Sequence, residues 1–125
     1  MIHKLVSTSS VLYDAATLQS SLLTIVPQQV QYKNQMQENF NSTQDNNNVS
    51  VSGVLFANYG TETQSRLNSI FFTLPEDEWD SFYSSQTFSH TDDYDNVMQC
   101  CLLYIKQNLM PMYGLTSNDW VYVTE

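Results

Sequence analysis

Basic side chains are scarce in this sequence. Its 125 residues contain thirteen Asp and Glu but only four Lys and Arg, and the formal net charge is −9. The four cations are Lys4, Lys33, Arg66 and Lys106. Proteins bind nucleic-acid phosphates and anionic lipids mainly through clustered Lys and Arg. The composition therefore predicts no direct nucleic-acid binding and no membrane partner.

Long apolar runs and glycine-rich loops are also missing. No apolar run approaches the ~20 residues that a membrane-spanning helix needs. The opening MIHKLVSTSS lacks the apolar stretch of a secretion signal, which favours synthesis in the cytoplasm. The three glycines, Gly53, Gly60 and Gly114, stand alone, so the glycine patterns that cradle phosphates are absent.

Cysteine is limited to the neighbours Cys100 and Cys101. Adjacent Cα atoms lie about 3.8 Å apart, below the ~4.4 Å minimum of ordinary disulfides. Both thiols stand inside an apolar run, which indicates buried core residues rather than metal ligands or nucleophiles. Free thiols also favour a reducing compartment.

What the sequence does contain is enough for one folded domain. The hydrophobic fraction is 42%, and 125 residues support a single modest core. The charged fraction of 14% is low, and Ser, Thr, Asn and Gln take its place. We predict one domain over residues 1–125, with no cofactor.

The first half of the chain gives weaker structural signals than the second. Residues 1–13 are rich in β-branched side chains and predict an extended N-terminal arm or an edge strand. Asp14 is a good N-cap, and apolar spacing predicts a helix over about 14–26 that stops at Pro27. The Asn-rich residues 41–48 predict a polar loop.

The second half predicts a hairpin, two helices and a last strand. Alternation favours a hairpin of about 49–59 with 67–74, which is the strongest β signal in the chain. Pro75 suits the first turn of a helix over 75–84. Thr91 is the expected cap of a nearly all-apolar helix over about 92–110, which such a pattern places in the core. With a C-terminal strand at about 120–123, the predicted fold class is α+β: a small antiparallel sheet packed on the C-terminal and N-terminal helices.

One stretch, residues 75–96, holds seven of the thirteen carboxylates and no Lys or Arg. Acidic side chains are stabilised at helix N-termini by the unpaired N–H groups and the helix dipole. The Glu76–Glu78 segment falls in one predicted first turn, and Asp92 and Asp93 fall in another. We interpret the stretch as two solvated helix starts.

A metal or acid–base site is the sharper alternative for the same stretch. His90, Asp92, Asp93 and Asp95 are close in sequence, but their spacing lacks the glycine and glutamate of a calcium loop. His90 also has no identifiable partner for nucleophilic catalysis. We therefore predict no catalytic, cofactor-binding or metal-ligating residue, and a protein that is not an enzyme.

Charge asymmetry leaves a second function open. Residues 67–125 carry nine acidic side chains against Lys106, a net charge of −8, whereas residues 1–66 carry four against three. A lopsided acidic surface attracts basic partners. The alternative function is thus a small acidic inhibitor, a nucleic-acid mimic or an immunity-type protein that binds a basic partner protein.

The composition favours a structural role instead. A polar, Lys-poor surface with many Tyr and Phe suits a wet, hydrogen-bonded interface with aromatic anchors. We expect a virion component of a tailed bacteriophage, either a capsid decoration protein or a head–tail or tail adaptor. Its partners would be copies of itself or other virion proteins. The expected contacts are apolar residues of the N-terminal arm, namely Leu5, Val6, Val11 and Leu12.

Overall fold

The computed structural model describes residues 1–33 and 48–125, and the bulk of the predicted polar loop, 41–47, lies outside these ranges. The strands and helices in chain order are β1 (His3–Ser7), β2 (Val11–Asp14), β3 (Gln19–Ser21), β4 (Leu23–Tyr32), β5 (Val49–Ala57), β6 (Ser65–Leu74), α1 (Glu76–Ser85), α2 (Asp93–Asn108) and β7 (Trp120–Thr124), with a short 3-10 turn at Ser117–Asp119.

Five strands form one antiparallel sheet in the order β6-β5-β4-β1-β7. The strands β2 and β3 make a separate two-stranded hairpin. Side chains in register across the centre of the sheet, Leu5, Ile25 and Leu55, are all fully buried. The predicted α+β class with a small antiparallel sheet is confirmed.

The β5–β6 hairpin forms where the alternation predicted it. It pairs from Val49 with Leu74 to Ala57 with Ser65, with one register shift near Leu55. Val49, Val51 and Leu55 point into the core, as expected from the clean alternation that opens the strand. The predicted C-terminal strand is also present as β7, which pairs with β1.

The helix predicted over 14–26 is wrong. Asp14 does accept hydrogen bonds from the N–H groups of Ala16 and Thr17, but it closes a turn between β2 and β3 rather than starting a helix. Leu18 takes a left-handed φ of 56°, which no helix interior allows. The β-branched run after Leu23 pairs with β5 instead, so partner strands overrode the local apolar spacing.

The N-terminal arm is likewise corrected over its first part. His3–Ser7 is strand β1, which lies between β4 and β7 and is therefore neither a free arm nor an edge. Its alternating burial, with His3, Leu5 and Ser7 buried, shows that one face of the strand belongs to the core.

Both predicted C-terminal helices exist, with small changes at their ends. The helix α1 follows Pro75, and Glu76, Asp77 and Glu78 lie in its first turn. The cap of α2 is Asp92 rather than Thr91, because the Asp92 carboxylate accepts a hydrogen bond from the Tyr94 N–H at 2.8 Å.

The core lies between the two helices and one face of the sheet. The helix α2 packs on β1 and β7, as its apolar face predicted, and contributes the fully buried Leu102 and Ile105. Two tryptophans are also buried: Trp79 of α1 and Trp120 of β7. Aromatic residues are large, so these two side chains add a substantial share of the buried apolar area.

Candidate functional site

The two histidines of the chain meet in one hydrogen-bonded group. His3 Nδ1 lies 2.7 Å from the Tyr122 hydroxyl, and His90 Nε2 lies 2.8 Å from the same oxygen. His3 Nε2 lies 2.9 Å from Asp95 Oδ1. The imidazole ring centroids are 5.5 Å apart. These four residues, His3, His90, Asp95 and Tyr122, are called the histidine cluster below.

Each member of the histidine cluster comes from a different part of the fold. His3 and Tyr122 stand on the helix-facing side of the paired strands β1 and β7. Asp95 lies in the first turn of α2. The connection between α1 and α2 carries His90, whose N–H donates to Asn96 Oδ1 at 3.2 Å. The cluster therefore joins the sheet to the start of α2 and to the loop before it.

The donors and acceptors of the cluster are complementary in two ways. In the first arrangement, Nε2–H of His3 donates to Asp95, so Nδ1 of a neutral His3 accepts a hydrogen bond from the Tyr122 hydroxyl. The hydroxyl oxygen in turn accepts a hydrogen bond from Nε2–H of His90. In the second arrangement, Nδ1–H of His3 donates to the hydroxyl oxygen, and the hydroxyl donates to Nε2 of the His90 tautomer that carries its proton on Nδ1.

Tyr122 stays protonated in either arrangement. Burial, followed by the nearby Asp95 charge, raises the pKa of Tyr122 to about 12. A neutral hydroxyl can donate one hydrogen bond and accept others, which is what two imidazoles on one oxygen require. Its position between them makes Tyr122 the central member of the cluster.

The geometry favours a structural cross-link over catalysis. His3 is only 4% exposed, so substrate has little access to it. Within residues 1–33 and 48–125, no Ser, Thr or Cys side chain hydrogen-bonds to either imidazole, so the pairing of nucleophile and base is missing there. The prediction that the protein is not an enzyme stays a prediction.

Sequence reasoning treated His90 as unpartnered and missed His3 and Tyr122. His3 and Tyr122 are 119 residues apart and meet only because β1 pairs with β7. No spacing in the sequence connects them. The alternation of His3 with Leu5 and Ser7 was the one local hint that this histidine faces the core.

The carboxylates weighed as metal ligands do not converge. Asp95 binds His3, whereas Asp92 caps α2. Over the described parts of the chain, no three His, Cys, Asp or Glu side chains are grouped so that they could hold a metal ion.

The positive charge of Lys33 lies beside acidic side chains of α1. Its Nζ donates to Asp80 Oδ1 at 2.6 Å and lies 3.7 Å from Glu76 Oε2. This hydrogen bond, followed by the charges nearby, raises the pKa of Lys33. The interpretation of the acidic stretch as helix starts agrees with this arrangement, because its carboxylates serve a cap, first turns and local ion pairs.

The two cysteines are buried, as the sequence predicted. Both Cys100 and Cys101 are free thiols with at most 1% of their surface exposed. Burial raises the pKa of each thiol to about 12. Because the thiolate is the nucleophilic form, neither cysteine is primed for chemistry at neutral pH.

Within the described ranges, the outer edge of β6 is the longest strand edge without a partner strand. Its ten residues carry one charged side chain, Arg66, and no proline. Among the described residues, no strand pairs with its outer side. Phe71, on the face opposite the helices, is 67% exposed. Arg66 donates a hydrogen bond to Ser69 Oγ on the same strand at 2.8 Å, and no other residue of β6 is charged.

The four predicted interface residues differ in their accessibility. Leu5 is fully buried in the core of its own chain and is not available to a partner. Val6 and Val11 are partly buried, and Val11 packs against the core. Leu12 is 48% exposed on the β2–β3 hairpin. A shared contact surface made of all four is therefore not present.

The chain matches no protein-family model, no curated protein and no solved structure. Neither α1 nor α2, nor any other described segment, forms a helix long and apolar enough to cross a membrane. Function therefore has to be argued from the surfaces and clusters of the molecule itself.

Proposed function

We propose that this protein is a non-enzymatic structural component of a multi-subunit particle and that it associates with its neighbours through β6. The observation that carries the proposal is the ten-residue β6 edge with its single charge and exposed Phe71. Proteins that work as monomers protect such edges with charges, prolines or covering loops, because an open edge pairs with other chains.

The occupant of this edge is a second copy of the same chain. An antiparallel pair of β6 strands places the same surface on both partners, as a two-fold interface requires. The two Phe71 side chains then lie on one continuous sheet face. The weak charge of the strand suits this pairing, since like charges facing each other across the pair would oppose it.

The particle we propose is the virion of a tailed bacteriophage, in which the chain would be a capsid decoration protein or a head–tail or tail adaptor. The Lys-poor, Tyr- and Phe-rich composition supports this role. The alternative of an acidic inhibitor receives less support from the site, because Asp92, Asp95, Glu76 and Asp80 already have partners inside the protein.

The association is tested by light scattering after size-exclusion chromatography over a range of protein concentrations. We expect dimers or larger species for the natural sequence, and monomers for Phe71→Lys. The matched control is Val121→Lys, which places the same charge at an exposed apolar position of β7, the strand at the other end of the sheet. A natural chain that stays monomeric at about 100 μM, a concentration at which many weak pairs associate, would overturn the proposal.

The virion assignment is tested separately by mass spectrometry of purified phage particles. We expect the chain in many copies per particle. Its absence from particles, together with tight and salt-sensitive binding to one basic protein, would favour the inhibitor instead.

A further inference from the structure

Within residues 1–33 and 48–125, the second half of β4 has a partner strand on only one side. β4 pairs with β5 along its whole length, from Leu23 to Tyr32. It pairs with β1 only at Thr24 and Ile25. In the described ranges, no strand lies beside residues 28–32 on the side where β1 would continue. These five residues are called the free half of β4 below.

Pro27 separates the free half of β4 from the paired half. Proline has no N–H to donate, and the register with β5 shifts between Pro27 and Gln29. The start of β1 meanwhile stays with the end of β7, because Ile2 and Glu125 exchange backbone hydrogen bonds of 2.9 and 3.0 Å. β1 and β4 thus diverge and leave a cleft between them.

Two cavities open into this cleft, one on each face of the sheet, and Pro27 and Gln28 line both. The cavity on the helix side has a volume of about 630 Å³ and lies between the free half of β4, Tyr83 and the start of α2. The cavity on the opposite side has a volume of about 600 Å³. Ile2, Val26, Val54 and Phe56 are its apolar walls, and its lining also includes one charge of each sign, Arg66 and Glu125.

The helix-side cavity is suited to a positive group. Asp93 lines it and forms no ion pair with any described residue, and no Lys or Arg is among the lining side chains. Tyr83 and Tyr94 contribute aromatic rings, whose faces attract cations, whereas the Tyr32 ring already has the Lys33 Nζ 5.5 Å from its centroid. Burial, followed by the Asp93 charge, raises the pKa of Tyr83, which agrees with a negative potential in this cavity.

We propose that the cleft binds an extended peptide segment of another protein, which adds as a strand to the free half of β4. Successive side chains of a strand point to opposite faces. A bound strand therefore directs alternate side chains into the two cavities, with basic residues on the helix side beside Asp93 and apolar residues on the other side. Backbone hydrogen bonds supply affinity, and the cavities select the side chains.

This inference depends on the proposed function for its biological context, in which the peptide belongs to a neighbouring subunit. Arg66 of β6 lines one of the two cavities, but the bound peptide pairs with the free half of β4 and not with the outer edge of β6, so the two proposals can fail independently. If the chain self-associates but does not bind the peptide, only the cleft proposal is contradicted. If it stays monomeric but binds the peptide, only the β6 proposal is contradicted.

The probe is acetyl-Val-Arg-Val-Arg-Val-amide, titrated into the full-length chain and followed by backbone amide NMR. We expect shifts and new hydrogen-exchange protection at residues 28–32. The same peptide with N-methyl groups on alternate backbone nitrogens keeps its side chains but cannot form the strand ladder, and we expect no binding. Equal binding of both peptides would overturn strand addition.

Charge selection is tested with Asp93→Asn, which should weaken binding about two- to fivefold, as loss of an exposed ion pair does. Asp77→Asn, in the first turn of α1 and outside both cavities, is the matched control and should bind normally. A peptide with Glu in place of Arg should bind more weakly than the basic probe.

Two further results would overturn the inference. One is full hydrogen-exchange protection of the outward-facing amides of residues 28–32 in the free protein, because the edge would then already be covered. The other is an absence of amide shifts at these residues at millimolar probe.

Discussion

The two ends of the central sheet are built differently. At one end, β7 contributes the buried Trp120 and the Tyr122 hydroxyl, and α2 covers its inner face. At the other end, β6 has twice the length, a single charge and an exposed Phe71. One end is tied to the rest of the molecule by hydrogen bonds and packing, whereas the other presents backbone groups and an aromatic ring to its surroundings.

Because of this difference, we expect substitutions at one end of the sheet to change folding stability and substitutions at the other end to change association. The β7 end is where substitutions should unfold the protein, because each buried polar group there has a partner that would be left unpaired. The β6 end is where substitutions should change which chains associate, with little effect on the folded monomer. Four measurements test this separation.

The largest effect is expected in α2, which covers the β7 end. Leu102 is fully buried, so Leu102→Ala should lower the free energy of unfolding by about 2–5 kcal/mol, since it leaves a cavity. Urea denaturation measures the change. Met110→Ala, just beyond α2 and 76% exposed, is the control and should change it by less than ~0.5 kcal/mol. Equal effects for the two variants would mean that α2 does not fill the core.

The next largest effect is expected in the histidine cluster. Tyr122→Phe removes the hydroxyl shared by the buried His3 and the half-buried His90 and should cost about 1–3 kcal/mol, because one nitrogen of each imidazole loses this partner. Tyr94→Phe is the control, since Tyr94 is 66% exposed and its hydroxyl bonds to no described residue. A stability of Tyr122→Phe equal to that of the natural chain would show that the cluster does not hold the β7 end together.

Alkaline pH should weaken the same end gradually. The pKa values of Cys100 and Cys101 are raised by burial from 9.0 to about 12, so the folded state favours the neutral thiols. Their contribution is complete below about pH 9 and disappears as the pH rises toward 12. The Tm should therefore fall over this interval. The decrease in Tm per pH unit should be smaller in a Cys100→Ala, Cys101→Ala double variant. An unchanged decrease would show that other groups cause the loss of stability.

The smallest effect on stability is expected at the β6 end. Phe71→Lys should change the free energy of unfolding by less than ~0.5 kcal/mol at low protein concentration, because the ring is largely exposed. If this substitution instead unfolds the chain, Phe71 supports the fold and the contrast between the two ends is incorrect.

The sequence predicted the second half of the fold because its local signals agreed with one another. The β5 strand opens with clean alternation and then turns apolar, and α2 has a continuous apolar face that ends before Pro111. The first half failed because its signals conflict. Asp14 and the apolar spacing after it resemble a helix start, whereas the β-branched Thr24, Ile25 and Val26 favour a strand. Pairing with β5, which lies far along the chain, decided in favour of the strand.

The histidine cluster could not be predicted in the same way. Its members lie on three separate elements and a loop, and only the completed sheet brings His3 to Tyr122. Helix-start chemistry accounted for Asp92, but local reasoning gave Asp95 no partner, whereas in the fold it lies beside a buried imidazole. Local patterns identify caps and faces, and tertiary pairing decides which polar side chains meet.

Pro27 gives one strand two different surroundings. Before it, β4 lies in the middle of the sheet between β1 and β5; after it, β5 is the one neighbouring strand within residues 1–33 and 48–125. A single proline therefore marks the position at which β4 changes from pairing on two sides to pairing on one. Restoring the missing N–H with Pro27→Val should allow β1 and β4 to pair over more residues and should narrow the cleft between them.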